Sequence, residues 1–260
     1  MTATPKTLLL DAGNSRLKWA CAAVGQPGTV ATGVCGYDVL DSLPAALPTG
    51  VVKALGCNVA GEDVASRLVA TLAPIAIDWL RPTAEMAGVR NGYRNPGQLG
   101  ADRWAALIGA RARSAEATIV VMAGTAMTVD ALTAQGDFLG GLIVPGYRLM
   151  RESLSRGTAD LGLPEGDVNP FPQSTGEAIV NGALLALAGA IREMSDRLAA
   201  LSGKLPTILL SGGDATRLTP LLASALAGKV IHVDNLVLEG LACISSLPGL
   251  HPTTGRNSSP

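Results

Sequence analysis

The chain has 260 residues, 20 basic and 21 acidic, for a formal net charge of −1, with 48% hydrophobic but only 3% aromatic content. That length holds one large domain or two smaller ones with cores of their own, and the balanced charge excludes the footprint of a nucleic-acid or anionic-membrane binder. Four scattered cysteines and two histidines form no zinc spacing or disulfide framework and leave little room for histidine catalysis, as expected of a reducing, cytoplasmic setting. In chain order, strands are expected at Thr7–Asp11, Leu17–Val24 and Thr29–Val34, then a helix at Tyr37–Leu43, a strand at Val51–Cys57, a helix at Glu62–Leu72 and a strand at Ile75–Leu80. Leu8–Leu10 is too short for a signal peptide, and no apolar run approaches a membrane span. Arg81–Gly97, rich in Pro, Gly, Asn and Arg, reads as a long loop of the kind that carries function. A helix follows at Ala101–Ser114, then strands at Thr118–Met122, Ala126–Leu132 and Phe138–Val144, with Pro145 as the first residue of a helix. A long helix at Gly176–Leu201, strands at Thr207–Ser211 and Lys229–Val233, a helix from Asn235 and a tail at Leu247–Pro260 complete the pattern.

Each half opens as strand, small-residue turn, strand, and continues in α/β layers. This weak internal duplication predicts an N-terminal lobe at 1–115 and a C-terminal lobe at 116–260. One continuous α/β domain is the other reading of the same pattern.

Four polar motifs interrupt the apolar runs. At Asp11–Asn14 an acid ends a strand before a Gly-Asn turn; Gly13 and Asn14 tolerate φ > 0, so the turn can be tight and aim N–H groups at an anion. Asp11 is placed to hold a hydrated Mg²⁺, and Lys18 on the returning strand to meet a phosphate oxygen. The plainer reading is a hairpin with a surface Asp. Gly124–Thr125 and Ser211–Asp214 are further small-residue turns after strands. Such turns gather at one sheet edge, and three of them with Asp, Thr and Ser beside the glycines point to a nucleotide. The fourth motif, Gly100–Trp104, opens a helix with Asp102 in its first turn, where the helix dipole favours a carboxylate. Asp102 is then either a helix-start acid or a proton acceptor, with Arg103 beside it for an anionic substrate group. Tyr93 is a loop anchor or a ligand contact. Ser174-Thr175-Gly176-Glu177 carries an N-cap signature that needs only one of its two hydroxyls. P-loop, G-x-S-x-G and H-E-x-x-H motifs are absent from the sequence.

Taken together and in this order, D-A-G-N-S-R-L-K (11–18), G-A-D-R (100–103), A-G-T-A-M-T (123–128), T-G-E-A-I (175–179) and S-G-G-D-A (211–215) resemble type III pantothenate kinase. The resemblance implies an actin-like kinase fold, two ribonuclease-H-like lobes around an ATP cleft, and a homodimer with the substrate site near its interface. The activity it implies is ATP-dependent phosphorylation of pantothenate to 4'-phosphopantothenate, the first committed step toward coenzyme A. It implies ATP contacts by Asp11, Ala12, Gly13, Asn14, Ser15, Arg16, Leu17, Lys18 and Thr125, with Asp11 beside Mg²⁺. Asp102 would accept the proton. Tyr93, Gly100, Ala101, Asp102, Arg103 and Thr175 would line the pantothenate site, and Ser211–Asp214 would lie toward the nucleoside. Family members usually carry Asp-x-Gly-Thr in the second turn, where that Asp helps bind a monovalent cation (K⁺ or NH₄⁺). Here the position is Met122, a thioether that hard alkali ions do not favour, so loss of the site is expected, with Asp130 the candidate to rebuild it. The rival readings are another small-molecule kinase of this superfamily, a polyphosphate phosphatase, and a non-catalytic actin-like nucleotide-binding regulator.

Overall fold

The computed structural model describes residues 4–24, 28–157, 165–223, 226 and 229–247; beyond Leu247, the expected tail lies outside the described residues. Strands β1 (Lys6–Ala12), β2 (Leu17–Ala23) and β3 (Ala31–Cys35) lead to a 3₁₀ helix at Tyr37–Ser42, α1 (Leu43–Ala46), β4 (Val51–Asn58), α2 (Glu62–Leu72) and β5 (Ile77–Trp79). Then come β6 (Glu85–Met86), β7 (Val89–Asn91), a 3₁₀ turn at Pro96–Gln98 and α3 (Ala101–Arg113). The rest is β8 (Thr118–Ala123), β9 (Ala126–Leu132), β10 (Asp137–Pro145), α4 (Tyr147–Gly157), α5 (Thr175–Ser202), β11 (Thr207–Ser211), α6 (Ala215–Ala223), β12 (Val230–His232) and α7 (Leu236–Ser245).

The chain divides into two compact units: residues up to Arg81 together with those from Val237, and Pro82–Leu236. These differ from the lobes expected at 1–115 and 116–260. Residues 82–115 go with the second unit because β7 hydrogen-bonds to β10 and α3 packs on β7, β8 and β9.

The first unit has a five-stranded sheet in the order β3-β2-β1-β4-β5, with β1 antiparallel to β2 and parallel to β4. The second has seven strands in the order β12-β11-β8-β9-β10-β7-β6. Its run β10-β9-β8-β11-β12 repeats the order and directions of the first sheet, with β8 antiparallel to β9 and parallel to β11. The duplication faint in the sequence is therefore plain in the strand topology. Central strands β1, β8 and β11 are buried at nearly every position, which is why they read as continuous apolar runs rather than alternations. In the second unit, Val121 and Ala123 of β8 with Met127 and Val129 of β9 face a core covered by Val180, Leu184, Leu187 and Ile191 of α5. Successive strand residues alternate faces, so Met122, Thr128 and Asp130 lie on the opposite face, toward α3.

Helix α5 starts at a capped end. Ser174 Oγ accepts the Glu177 N–H at 3.2 Å and Glu177 Oε2 accepts the Gln173 N–H at 2.8 Å. It stops at Gly203, which is left-handed at φ 72°. Contrary to expectation, its length and composition meet the requirement for a membrane span, but half of the apolar window is packed inside the unit. Two other expectations change. Residues 81–97 are not one long loop: the β6–β7 hairpin extends the second sheet, with β7 pairing to β10. Pro145 ends β10 opposite Ala126 rather than starting a helix, because Gly146 donates its N–H to Thr125 O at 3.0 Å and turns the chain there. Helix α6 has no counterpart in the sequence reading.

Candidate active site

In the first unit, the β1–β2 register sets Asp11 opposite Lys18, and the β1–β4 register sets it beside Cys57. Opposed residues of an antiparallel pair share a face, so the two side chains leave the sheet end on the same side. Asp11 is 8% exposed, and its Oδ1 accepts a long 3.6 Å hydrogen bond from Cys57 Sγ. Ala12 and Leu17 point into the core, so they can offer a nucleotide only main-chain groups; Asn14, Ser15 and Arg16 are exposed. Neither Gly13 nor Asn14 adopts positive φ, unlike the tight turn expected. A Cβ built at Gly13 would meet only Arg16 O, at 3.6 Å. The fold itself has no need of glycine here. What glycine leaves open is the space over the backbone, which a phosphate approaching main-chain amides requires.

The second unit has two more glycines of this kind. A Cβ at Gly124, between β8 and β9, would meet only Ala126 O at 3.6 Å, and one at Gly213 would meet nothing within 4 Å. Their neighbours serve the chain instead. Gly212 has φ +108° and would place a Cβ 2.3 Å from Ala123 O, and Gly146 would place one 2.1 Å from Gly124 O. Asp214 donates its N–H to Ala123 O at 3.1 Å, so the Thr125 turn is stitched between the Ser211–Asp214 turn and the start of α4. Tyr147 supports that junction. The guanidiniums of Arg151 and Arg217 each lie 5.1 Å from its ring centroid, and Arg217 Nε is 3.4 Å from Asp214 Oδ1. Burial pushes the Asp214 carboxyl up, against the pull of Arg217.

At the start of α3, half-buried Asp102 accepts the N–H of Arg103 on Oδ1 at 2.8 Å. It does act as a helix-start acid, and Oδ2 has no hydrogen bond among the described residues. Arg103 turns inward and is 4% exposed. Its Nε donates to Asp130 Oδ2 at 3.1 Å, its Nη2 to Asp130 Oδ1, and its Nη1 to Tyr93 Oη at 2.8 Å. The guanidinium also sits 5.6 and 5.8 Å from the ring centroids of Tyr93 and Phe138. Burial opposes the charge on Arg103, but the hydrogen bonds and charge of Asp130 more than restore it; burial also pushes the Asp130 carboxyl up against the pull of Arg103. The pair neutralises itself inside the unit. Two of the guanidinium's five N–H groups take no part in these bonds, and Asp130, fully buried with its charge already balanced by Arg103, brings little net charge to a cation beside Met122. Met122 itself is half-buried, in register between Thr128 and Ser211.

The structure thus brings Tyr93, Asp102 and Arg103 together. Thr175 stands elsewhere, exposed at the start of α5, where it lines an open groove of about 460 Å³ with Met150, Leu154, Ile179 and Gly182. Ser174 does the capping and leaves the Thr175 hydroxyl available. The sequence reading missed Phe138, Tyr147 and the grip of Asp130 on Arg103. Gly140-Gly141 inside a strand was the available signal for that grip, because glycine in a strand marks a close approach. A Cβ at Gly141 would lie 2.0 Å from Asp130 Oδ1.

A Campylobacter jejuni protein described as a Baf family transcriptional activator superposes with TM-score 0.62 at 21% identity, over 91% of this chain and 96% of that one. A Sinorhizobium meliloti protein described as a 2-dehydro-3-deoxygalactonokinase superposes with TM-score 0.55 at 15% identity, over 92% and 97%. With the duplicated sheets, these likenesses define an actin-like ATPase and sugar kinase fold. The type III pantothenate kinase profile matches residues 7–197. A type III pantothenate kinase of Aromatoleum aromaticum is 46% identical over 244 residues, covering 92% of this chain and 97% of that protein. The chain belongs to the type III pantothenate kinase family.

Proposed function

We propose that this chain transfers the γ-phosphoryl group of ATP to the hydroxyl of pantothenate, the first committed step toward coenzyme A, in the cytoplasm. Beside its family, the observation that carries the reading is the trio Gly13, Gly124 and Gly213. Each lacks a Cβ that the fold would tolerate, and each follows a strand end where phosphate would be gripped. The transition state of phosphoryl transfer is loose, so positioning and charge neutralisation do most of the catalysis. In the first unit, main-chain N–H groups of the Gly13 turn and the Lys18 ammonium would hold phosphate oxygens; in the second, the Gly124 turn offers main-chain groups of the same kind. Asp11 would hold a hydrated Mg²⁺, since one carboxylate plus substrate phosphates is the usual Mg²⁺ ligation; when bound, the ion neutralises charge on the β- and γ-phosphates. Asp102 orients the pantothenate hydroxyl through Oδ2 and accepts its proton. Tyr93 and the remaining N–H groups of Arg103 line the substrate site, with Gly100 and Ala101; Thr175, which stands elsewhere on this chain, is assigned to it by the family resemblance alone.

With Met122 in the second turn and Asp130 committed to Arg103, the enzyme runs without a monovalent cation site. Saturable activation by K⁺ over Na⁺ at equal ionic strength would contradict this. The outward face of α5, with Ala178, Gly182, Leu185 and Gly189 exposed beside the Thr175 groove, supports a homodimer; a monomer by light scattering at micromolar concentration would overturn that part. The reaction is tested by ADP release at millimolar ATP and Mg²⁺, with and without pantothenate. Release that is independent of pantothenate, or supported better by another hydroxy compound in a panel, refutes the substrate assignment.

A further inference from the structure

The 3₁₀ helix after β3 reaches back to the phosphate hairpin. Tyr37 Oη donates to the Gly13 carbonyl at 2.5 Å, at the short end for an O–H···O bond. Tyr37 is itself held. Its carbonyl accepts Arg67 Nη2 of α2 at 2.6 Å, and its ring packs on the first unit's core. Burial, then the charges of Asp11 and Cys57, push the phenol up to about 12, so it stays a donor at neutral pH.

The peptide joining Gly13 to Asn14 is planar, and in the trans form its C=O and N–H point opposite ways. A carbonyl pinned toward Tyr37 therefore turns the Asn14 N–H to the other side. Gly13 has no Cβ and nothing crowding one, so without that pin this peptide is the one in the hairpin freest to rotate. Resting on the ATP-dependent reading above, we propose that Tyr37 is a positioning residue for the nucleotide: its hydroxyl clamps the Gly13 carbonyl so that the Asn14 amide faces a phosphate of ATP. Pre-orienting that amide spares the bound state the ordering of a flexible peptide.

The variant Tyr37→Phe keeps the ring and removes only the donor. Loss of one such hydrogen bond should raise the KM for ATP about tenfold, with kcat and the KM for pantothenate within about twofold. Titration calorimetry on the wild type and the variant adds a readout that loosened packing would not reproduce: the affinity loss should fall on ADP and spare adenosine. An unchanged KM for ATP, or equal losses for ADP and adenosine, overturns the proposal. If the wild type shows no pantothenate-dependent turnover, the functional reading fails instead, and the ADP-against-adenosine comparison still decides on the clamp.

Discussion

Replacing Gly13 with alanine sets stability and nucleotide binding against each other. The added Cβ would have Arg16 O as its nearest neighbour at 3.6 Å, an ordinary van der Waals distance, and Gly13 is not among the positive-φ glycines. Alanine therefore fits, and by restricting the unfolded chain it should add about 0.4–1 kcal/mol, raising Tm by roughly 1–4 °C. Binding should go the other way. A phosphate oxygen on a main-chain N–H lies about 2.9 Å from nitrogen, and a methyl group filling the open space beside Gly13 would meet an anion that reaches these amides from that side. Losing one or two charge-assisted hydrogen bonds, at about 1.5–3 kcal/mol for one, should raise the KM for ATP about 10²-fold. Gly212→Ala is the control, because there the Cβ would sit 2.3 Å from Ala123 O at φ +108°. It should lower Tm by several degrees, about 2 kcal/mol or more of strain. Thermal melts and ATP saturation curves on both variants decide the matter. A Gly13→Ala protein with wild-type KM for ATP, or one that melts as early as Gly212→Ala, would refute the claim that this glycine is kept for a ligand.

Asp102→Asn should reduce turnover by about 10²-fold or more with ATP affinity near wild type; near-full activity would leave Asp102 a helix-start acid alone. Asp130→Ala strands the Arg103 guanidinium, 4% exposed, and should destabilise by about 3–5 kcal/mol, a Tm loss of roughly 6–20 °C. The double change Arg103→Met with Asp130→Leu should recover much of that loss, and a shift under about 2 °C in Asp130→Ala would show that the pair is not the anchor described. Because the folded Tyr37 phenol is pushed up to about 12, above the ordinary value of about 10, its stabilising effect is complete below pH about 10 and is lost as pH rises through the folded value. The Tm difference between wild type and Tyr37→Phe should therefore shrink across that window in alkaline melts. A constant difference falsifies the assignment.

The local signals of this chain were legible one residue at a time. Apolar runs such as Leu8–Leu10 mark central strands because burial on both faces removes any alternation. Ser174 and Glu177 mark the start of α5 because a cap is chemistry within one turn. The glycine turns, and the family motifs built on them, are equally local, so the nucleotide reading needed no coordinates. Which glycines serve the fold was not local. Gly13 and Gly212 look alike in sequence, and only the approach of Ala123 O to one and the open space at the other separate a packing requirement from a ligand requirement. The same holds for Arg103, which as Asp102's neighbour reads as a substrate cation. Only the return of β9 beneath α3 brings Asp130 to it across 27 residues and settles its charge. Strand pairing also decided that the segment 81–97 would extend a sheet, since hydrogen-bond partners supplied by β10 are invisible to local propensity. Propensity and capping act over a few residues, whereas charge pairing and close backbone approach depend on which distant segments the topology makes neighbours.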